Sequence, residues 1–437
     1  MSSVTMGFVG LGAILALVGL RMPIAVALAL VGVVGIAQIT SWSTTFSFME
    51  SVPYDFSASW ELSAAPMFLL MGSIIYRSGL TESMYQAMRL WLGGLPGGLA
   101  VATNMAAAVF AAACGSSIAT TIAIGRFAIP EMLKSNYDKG LATAVCACAG
   151  TLGSMIPPSI TMILYCAFTG QSVAAMFAAG VVPGVLTAVV YAVMIITRAK
   201  LNPALAPRID INATLREKWA IVPRVWPMPV LIVIVIGSIY GGVATPTEAG
   251  AFGAFGALVL AILTRRFSVR MLREGIFEAL QATATIFFVA IGAVFITRFL
   301  ALSGVPDVVT AVIQDMGVGP VGLILIAAVM FLVLGCFMES VGLMLLSLPI
   351  LIPAFESLGV NLIWFGIIMV KLLEVGLMSP PVGLNVFAAK ALVKDEVSLE
   401  EIFRGTGWFL ACEAFVIVLL IAFPSISLWL PRTLGLM

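Results

Sequence analysis

The residues best suited to chemistry sit where apolar sequence is interrupted. Gly153-Ser154-Met155-Ile156-Pro157-Pro158-Ser159-Ile160-Thr161 places two consecutive prolines inside an apolar run. So does Gly376-Leu377-Met378-Ser379-Pro380-Pro381-Val382-Gly383-Leu384-Asn385. Paired prolines remove two N–H donors and clash with the preceding turn. The residue before a proline also avoids the helical region. Each helix must therefore unwind near its middle. Freed carbonyls and half-helix C-termini are good ligands for Na⁺, whereas half-helix N-termini and Ser, Thr or Asn donors suit a carboxylate. Two polar tips, Cys114-Gly115-Ser116-Ser117 and Glu339-Ser340-Val341-Gly342, offer the same groups. One cation site per break is the economical reading. The first would use Ser116, Ser117, Gly153, Pro157 and Ser159, and the second Ser340, Gly376, Ser379, Pro380 and Asn385. A substrate carboxylate is expected between the tips, near Ser116, Thr161 and Asn385. A proline kink without a ligand is the simpler reading of one break. Two related breaks, each with a related tip, favour sites.

Other polar residues have competing explanations. In Thr245-Pro246-Thr247-Glu248, Thr245 fits an N-cap, Pro246 the first helical position and Glu248 the first turn. Capping alone accounts for the motif, and the alternative is a coupling or gating Glu248. Glu339 is harder to dismiss, because charge at membrane depth is costly and usually functional. It is expected to bind or gate. Lys371 and Glu374 are most simply a mutual pair three residues apart, and Arg298 snorkels toward the outer surface. Cys114, Cys146, Cys148, Cys166, Cys336 and Cys412 all lie in apolar segments and read as small buried thiols.

The elements that carry these residues are set by composition. Of 437 residues, 61% are hydrophobic and 10% are charged, with a mean hydropathy of +1.14. An ordinary soluble domain is about 25% charged, so the solvent here is lipid. A net charge of +1 attracts no nucleic acid. The absence of histidine removes imidazole metal ligands and Ser-His-Asp triads, and no phosphate-binding GxxxxGK[ST] loop occurs. The expectation is a transporter with no enzymatic activity and no organic cofactor. A channel would need a continuous polar pore, and an intramembrane enzyme a nucleophile with its base.

Apolar runs of spanning length occur at 4–20, 23–40, 61–79, 172–197, 228–246, 247–264, 280–300 and 405–430. No cleavable signal is expected, because the first basic residue, Arg21, follows the first run. The basic stretch 198–227 and the loop Arg265–Arg273 belong in the cytoplasm by the positive-inside rule. Counting outward from them puts 19 of 22 basic residues inside and both termini outside. The parity holds if 97–135 and 320–358 are re-entrant helical hairpins. The broken helices then run about 138–168 and 361–392. Segments 80–95 and 301–319 read as interfacial amphipathic arms.

A shift of 223 residues superposes Pro23 on Pro246, Pro130 on Pro353, Pro157 on Pro380 and Ser117 on Ser340. We therefore read 1–197 and 228–437 as two repeats joined by a cytoplasmic linker, 198–227. Each has five crossings and one hairpin. Five is odd, so the second repeat is inverted, a signature of secondary transporters.

The chain resembles the large membrane subunit of tripartite ATP-independent periplasmic (TRAP) transporters over essentially its whole length. The resemblance rests on Ala113–Thr120, Gly153–Ser159, Gly242–Gly250 and Met378–Asn385. It implies an all-α polytopic, elevator-type, Na⁺-driven importer of organic acids in a bacterial or archaeal inner membrane. Family substrates include C4-dicarboxylates, sialic acids, keto acids and sugar acids. It also implies two partners, a small four-span membrane subunit and a soluble extracytoplasmic solute-binding protein. No four-span extension precedes residue 1, which fits a separately encoded small subunit. A stand-alone divalent-anion/Na⁺ symporter is the alternative.

Overall fold

A computed structural model describes residues 2–208, 214–335 and 338–437. Among them every regular element is a helix. By length and composition six helices can cross a membrane, and two bent pairs raise the number to eight. Ser3–Gly19 and Ile24–Ile39 are apolar throughout, at 17 and 16 residues.

The molecule is turned inside out relative to a soluble domain. Val185, Val189 and Val193 form an exposed stripe on the helix Val173–Leu201, and Leu325, Ile326 and Val329 do the same on Pro320–Gly335. Lys371, Glu374, Glu413 and Asn385 are fully buried. Apolar surface faces lipid, and polar groups are satisfied within the protein.

Helices Gly98–Cys114 and Ser117–Lys134 are joined by Gly115-Ser116 and pack against one another; we refer to them as hairpin 1. Pro320–Gly335 and Ser340–Ser357 form hairpin 2. Its turn includes Cys336 and residue 337, which lie outside the described residues; the other five cysteines are free and buried. Broken helix 1 runs Lys139–Gly150 and Leu152–Met155, loses helical structure at 156–159, and resumes as Ile160–Thr169. Broken helix 2 runs Leu362–Met378, breaks at 379–383, and resumes as Leu384–Val393. Both paired prolines, Pro157-Pro158 and Pro380-Pro381, are joined by cis peptides. The 223-residue shift recurs in the helix bounds, since it carries Ser117–Lys134 onto Ser340–Ser357.

Two groups of helices emerge. The hairpins and broken helices pack together, tied by Asn385 Nδ2 donating to Ala147 O at 3.2 Å and Tyr165 Oη donating to Leu362 O at 2.6 Å. A second group contains Ile24–Ile39, Ala64–Arg77, Pro246–Leu263 and the 35-residue helix Val269–Ser303, here the wall helix.

Sequence bounds differ from the structure in several places. The run read as 405–430 is two helices, Leu399–Ala422 and Ser425–Thr433. The run read as 280–300 is the apolar part of the wall helix, whose amphipathic first turns begin at Val269. Segment 80–95 forms the helix Leu80–Leu92, but Leu80, Met84 and Tyr85 are buried against protein. Arg89 pairs with Glu131 of hairpin 1 at 2.6 Å, and Trp91 donates to the linker carbonyl of Lys218 at 3.2 Å. One face of that arm therefore packs against hairpin 1, while Trp91 stays exposed.

Candidate functional site

Each hairpin tip touches its broken helix through glycine. A Cβ on Gly153 would lie 2.6 Å from Ser116 O, and one on Gly376 would lie 3.0 Å from Gly335 Cα. A side chain does not fit at Gly153, and at Gly376 it would fit only if the Gly335 backbone gave way by a few tenths of an ångström, so backbone meets backbone at both points. The Ile160 N–H donates to Gly115 O at 3.3 Å, which closes break 1 onto tip 1.

A cavity of about 380 Å³ opens between the tips and the wall helix. Ser116 and Ser117 line it from tip 1, Ile160 and Thr161 from broken helix 1, and Glu339 and Ser340 from tip 2. Three helices begin here, at Ser117, Ile160 and Ser340. Ser116 caps the first by accepting from Ala119 N, and Ser159 caps the second by accepting from Met162 N. Glu339 precedes the third without a side-chain cap. A helix N-terminus carries unpaired N–H groups and roughly half a positive charge. Three of them point partial positive charge at one cavity, whose wall also carries the carboxyl groups of Glu278 and Glu339.

At the second break, Ser340 Oγ and Asn385 Oδ1 are buried and lack a hydrogen-bond partner. Such atoms are costly to bury without a partner. Ser379 Oγ donates to Val375 O at 2.7 Å and keeps its lone pairs. Ser159 Oγ donates to Ser154 O at 2.5 Å and so braces the first break.

Several expected residues fall elsewhere. Asn385 is fully buried behind the cavity and does not line it, unlike Ser116 and Thr161. Glu248 accepts from Thr245 N and Oγ1, each at 2.8 Å, and Thr245 Oγ1 accepts from Glu248 N in return. This exposed capping box is not part of the cavity. Arg298 stacks over Phe48, 4.7 Å from the ring centre. Lys371 and Glu374 do pair, at 2.7 Å, and Glu413 joins them.

The opposite wall carries polar residues that the reading of the breaks passed over. Glu278, Gln281 and Thr285 recur at three- and four-residue spacing on one face of the wall helix and line the cavity. Ser73 Oγ donates to Glu278 at 2.8 Å, and Arg77 Nε pairs with the same carboxylate at 2.9 Å. Arg77 also bonds Glu274. A vestibule of about 820 Å³ shares Glu278 and Gln281 and adds Arg77, Arg270 and Arg273. The polar spacing was visible in the sequence, but an apolar window starting at 280 excluded Glu278.

Comparison with known proteins settles the family. Residues 11–426 match the family model described as tripartite ATP-independent periplasmic transporter, DctM component. The chain belongs to the DctM family of TRAP transporters. It is 34% identical over 388 residues to the C4-dicarboxylate TRAP transporter large permease protein DctM of Pseudomonas aeruginosa, covering 88% of this chain and 89% of that one. It is 32% identical to the ectoine/5-hydroxyectoine TRAP transporter large permease protein UehC of Ruegeria pomeroyi, covering 84% and 85%. The fold is similar to the Alcanivorax borkumensis YdaH transporter, with a TM-score of 0.65 at 13% identity over 88% of this chain and 90% of that one. As a DctM-family chain it is a multi-pass membrane transport protein.

Proposed function

We propose that this chain is the large permease subunit of a Na⁺-coupled importer of an organic acid in a bacterial or archaeal cytoplasmic membrane. The observation that carries the reading is the meeting of three helix N-termini in one cavity that Ser340, with its buried and unpaired hydroxyl oxygen, also lines. The substrate carboxylate binds at Ser116, Ser117, Thr161 and Ser340. One sodium ion sits where tip 1 meets break 1, held by oxygens of Ser116, Ser117, Gly153, Pro157 and Ser159. A second sits at tip 2 and break 2, held by Ser340, Gly376, Ser379, Pro380 and Asn385. The cations offset the substrate's charge, so neither binds well alone. A C4-dicarboxylate is the first substrate to try, since the Pseudomonas relative carries that name.

In this reading the hairpins and broken helices move as one body against the group containing the wall helix. The hairpins are re-entrant, both termini lie outside, and 198–227 faces the cytoplasm. A small four-span subunit and a soluble extracytoplasmic binding protein complete the transporter. Uptake in proteoliposomes containing both membrane subunits tests the reading. Import should need the substrate-loaded binding protein and an inward Na⁺ gradient. Import without the binding protein would instead favour a stand-alone symporter.

A further inference from the structure

Where the linker meets the next span, the chain carries a surface that the cavity and the breaks do not involve. Thr214 caps a helical stretch, Leu215–Ala220 and Val222–Val225, and the span Pro227–Tyr240 follows at a bend of 49°. The bend falls at a proline, which lacks an N–H and clashes with the turn before it. Ile221 and Trp226, at the two joints, keep helical backbone angles. Leu215, Trp219, Val222 and Trp226 recur at spacings of four, three and four residues, so they share one helical face. Leu215 is 73% exposed, Trp219 63% and Trp226 40%, whereas Ile221, on a different side, is buried. The apolar face therefore points outward. Its spacing continues through Val230 and Val233, which are exposed on the span itself.

Cations flank this face. Arg216 and Lys218 stand on either side of it by helical spacing, and Arg224 follows two turns after Arg216. Among the described residues none of the three has an ion-pair partner. Glu217 is the one acidic residue in 214–226, and its carboxylate is spent on the capping box, accepting from Thr214 N at 2.7 Å and Thr214 Oγ1 at 2.9 Å. Trp91 lies edge-on to Trp219, with ring centres 5.6 Å apart, and its Nε1 donates to Lys218 O at 3.2 Å. Indole rings favour the level of the lipid headgroups, and basic side chains there attract anionic lipid. A helix with Trp and Leu on one face and basic flanks lies in the plane of that interface. The face runs on into the exposed side of a span and is flanked by unpaired cations. The occupant it fits is an anionic phospholipid, not another protein chain.

We propose that residues 214–226 form an interfacial anchor for anionic phospholipid. Leu215, Trp219, Val222 and Trp226 enter the boundary between headgroups and acyl chains, and Arg216, Lys218 and Arg224 hold the headgroups. Through Trp91 the anchor also grips the helix Leu80–Leu92, which pairs with hairpin 1. The anchor stands whether or not sodium drives transport and whichever organic acid is carried.

Fluorescence of the assembled permease in lipid nanodiscs tests this. An environment-sensitive dye is attached at Leu215→Cys in a cysteine-light background, in nanodiscs of phosphatidylglycerol and phosphatidylcholine in equal parts. Each lipid in turn carries bromine on its acyl chains as a quencher. The dye should be quenched severalfold more strongly than one attached at Ala220→Cys, which lies away from the apolar face. Brominated phosphatidylglycerol should quench it more than brominated phosphatidylcholine. A basic residue near the surface contributes about fivefold to the attraction for anionic lipid. Arg216→Gln combined with Arg224→Gln should therefore erase most of that preference. High salt screens exposed charges and should do the same to the unsubstituted linker, which gives a readout even if the double variant fails to assemble. Quenching at 215 no stronger than at 220 would mean that water or another protein covers the face, and would overturn the proposal. So would equal quenching by the two lipids, or a preference that survives the double substitution or high salt.

Discussion

The proposed cation sites turn on single oxygen atoms. Ser340 Oγ is buried and unpartnered, so its removal deletes a ligand without disturbing an existing bond. A hydrogen-bonding group that serves a charge contributes about 1.5–3 kcal/mol. Ser340→Ala and Ser379→Ala should therefore each raise the Na⁺ concentration for half-maximal uptake by roughly tenfold or more. Ser347 is a fair control, because its hydroxyl is committed to Met344 O at 2.9 Å and lies outside both sites. Ser347→Ala should leave the Na⁺ dependence in place. Glu248 belongs to a different prediction. Losing its cap partner in Thr245→Ala should cost about 1 kcal/mol, seen as a lower unfolding temperature with unchanged Na⁺ dependence. A changed Na⁺ dependence with intact stability would return Glu248 to a coupling role.

At the scale of elements, much was legible because proline and glycine act locally. Two Pro-Pro pairs cannot continue a helix, and the structure breaks at 156–159 and 379–383. Both hairpins also begin and end within a residue or two of their expected bounds. What stayed hidden depends on which face of a helix meets which neighbour. Asn385 is the second residue after its break, yet packing turns it toward Ala147 and not into the cavity. Glu413 lies 39 residues from Glu374, and nothing local announces that they share an ammonium. Glu278 looked peripheral because hydropathy sees the apolar stretch and not the helix that extends it. The close approach of tip to break gives a sharper element-scale test. Gly153→Val and Gly376→Val should separate tip from break and abolish uptake while the protein still reaches the membrane. Wild-type uptake in either would mean that the contact at 2.6 or 3.0 Å is dispensable.

For the whole molecule, the proposed orientation rests on charge and the proposed coupling on geometry. In a cysteine-light background, Asp55→Cys should react only with an impermeant thiol reagent applied outside. Arg216→Cys should react only from the cytoplasmic side, and the opposite pattern would reverse the topology. Coupling is the central claim of the proposed function, which puts the cation sites and the carboxylate site at the same hairpin tips. The direct measurement follows radiolabelled sodium and radiolabelled C4-dicarboxylate at once, in proteoliposomes holding both membrane subunits and supplied with loaded binding protein. The account expects the two labels to enter together, with uptake rising sigmoidally with external Na⁺ and sodium entry falling away when substrate is withheld. Substrate accumulation with no accompanying sodium would contradict it.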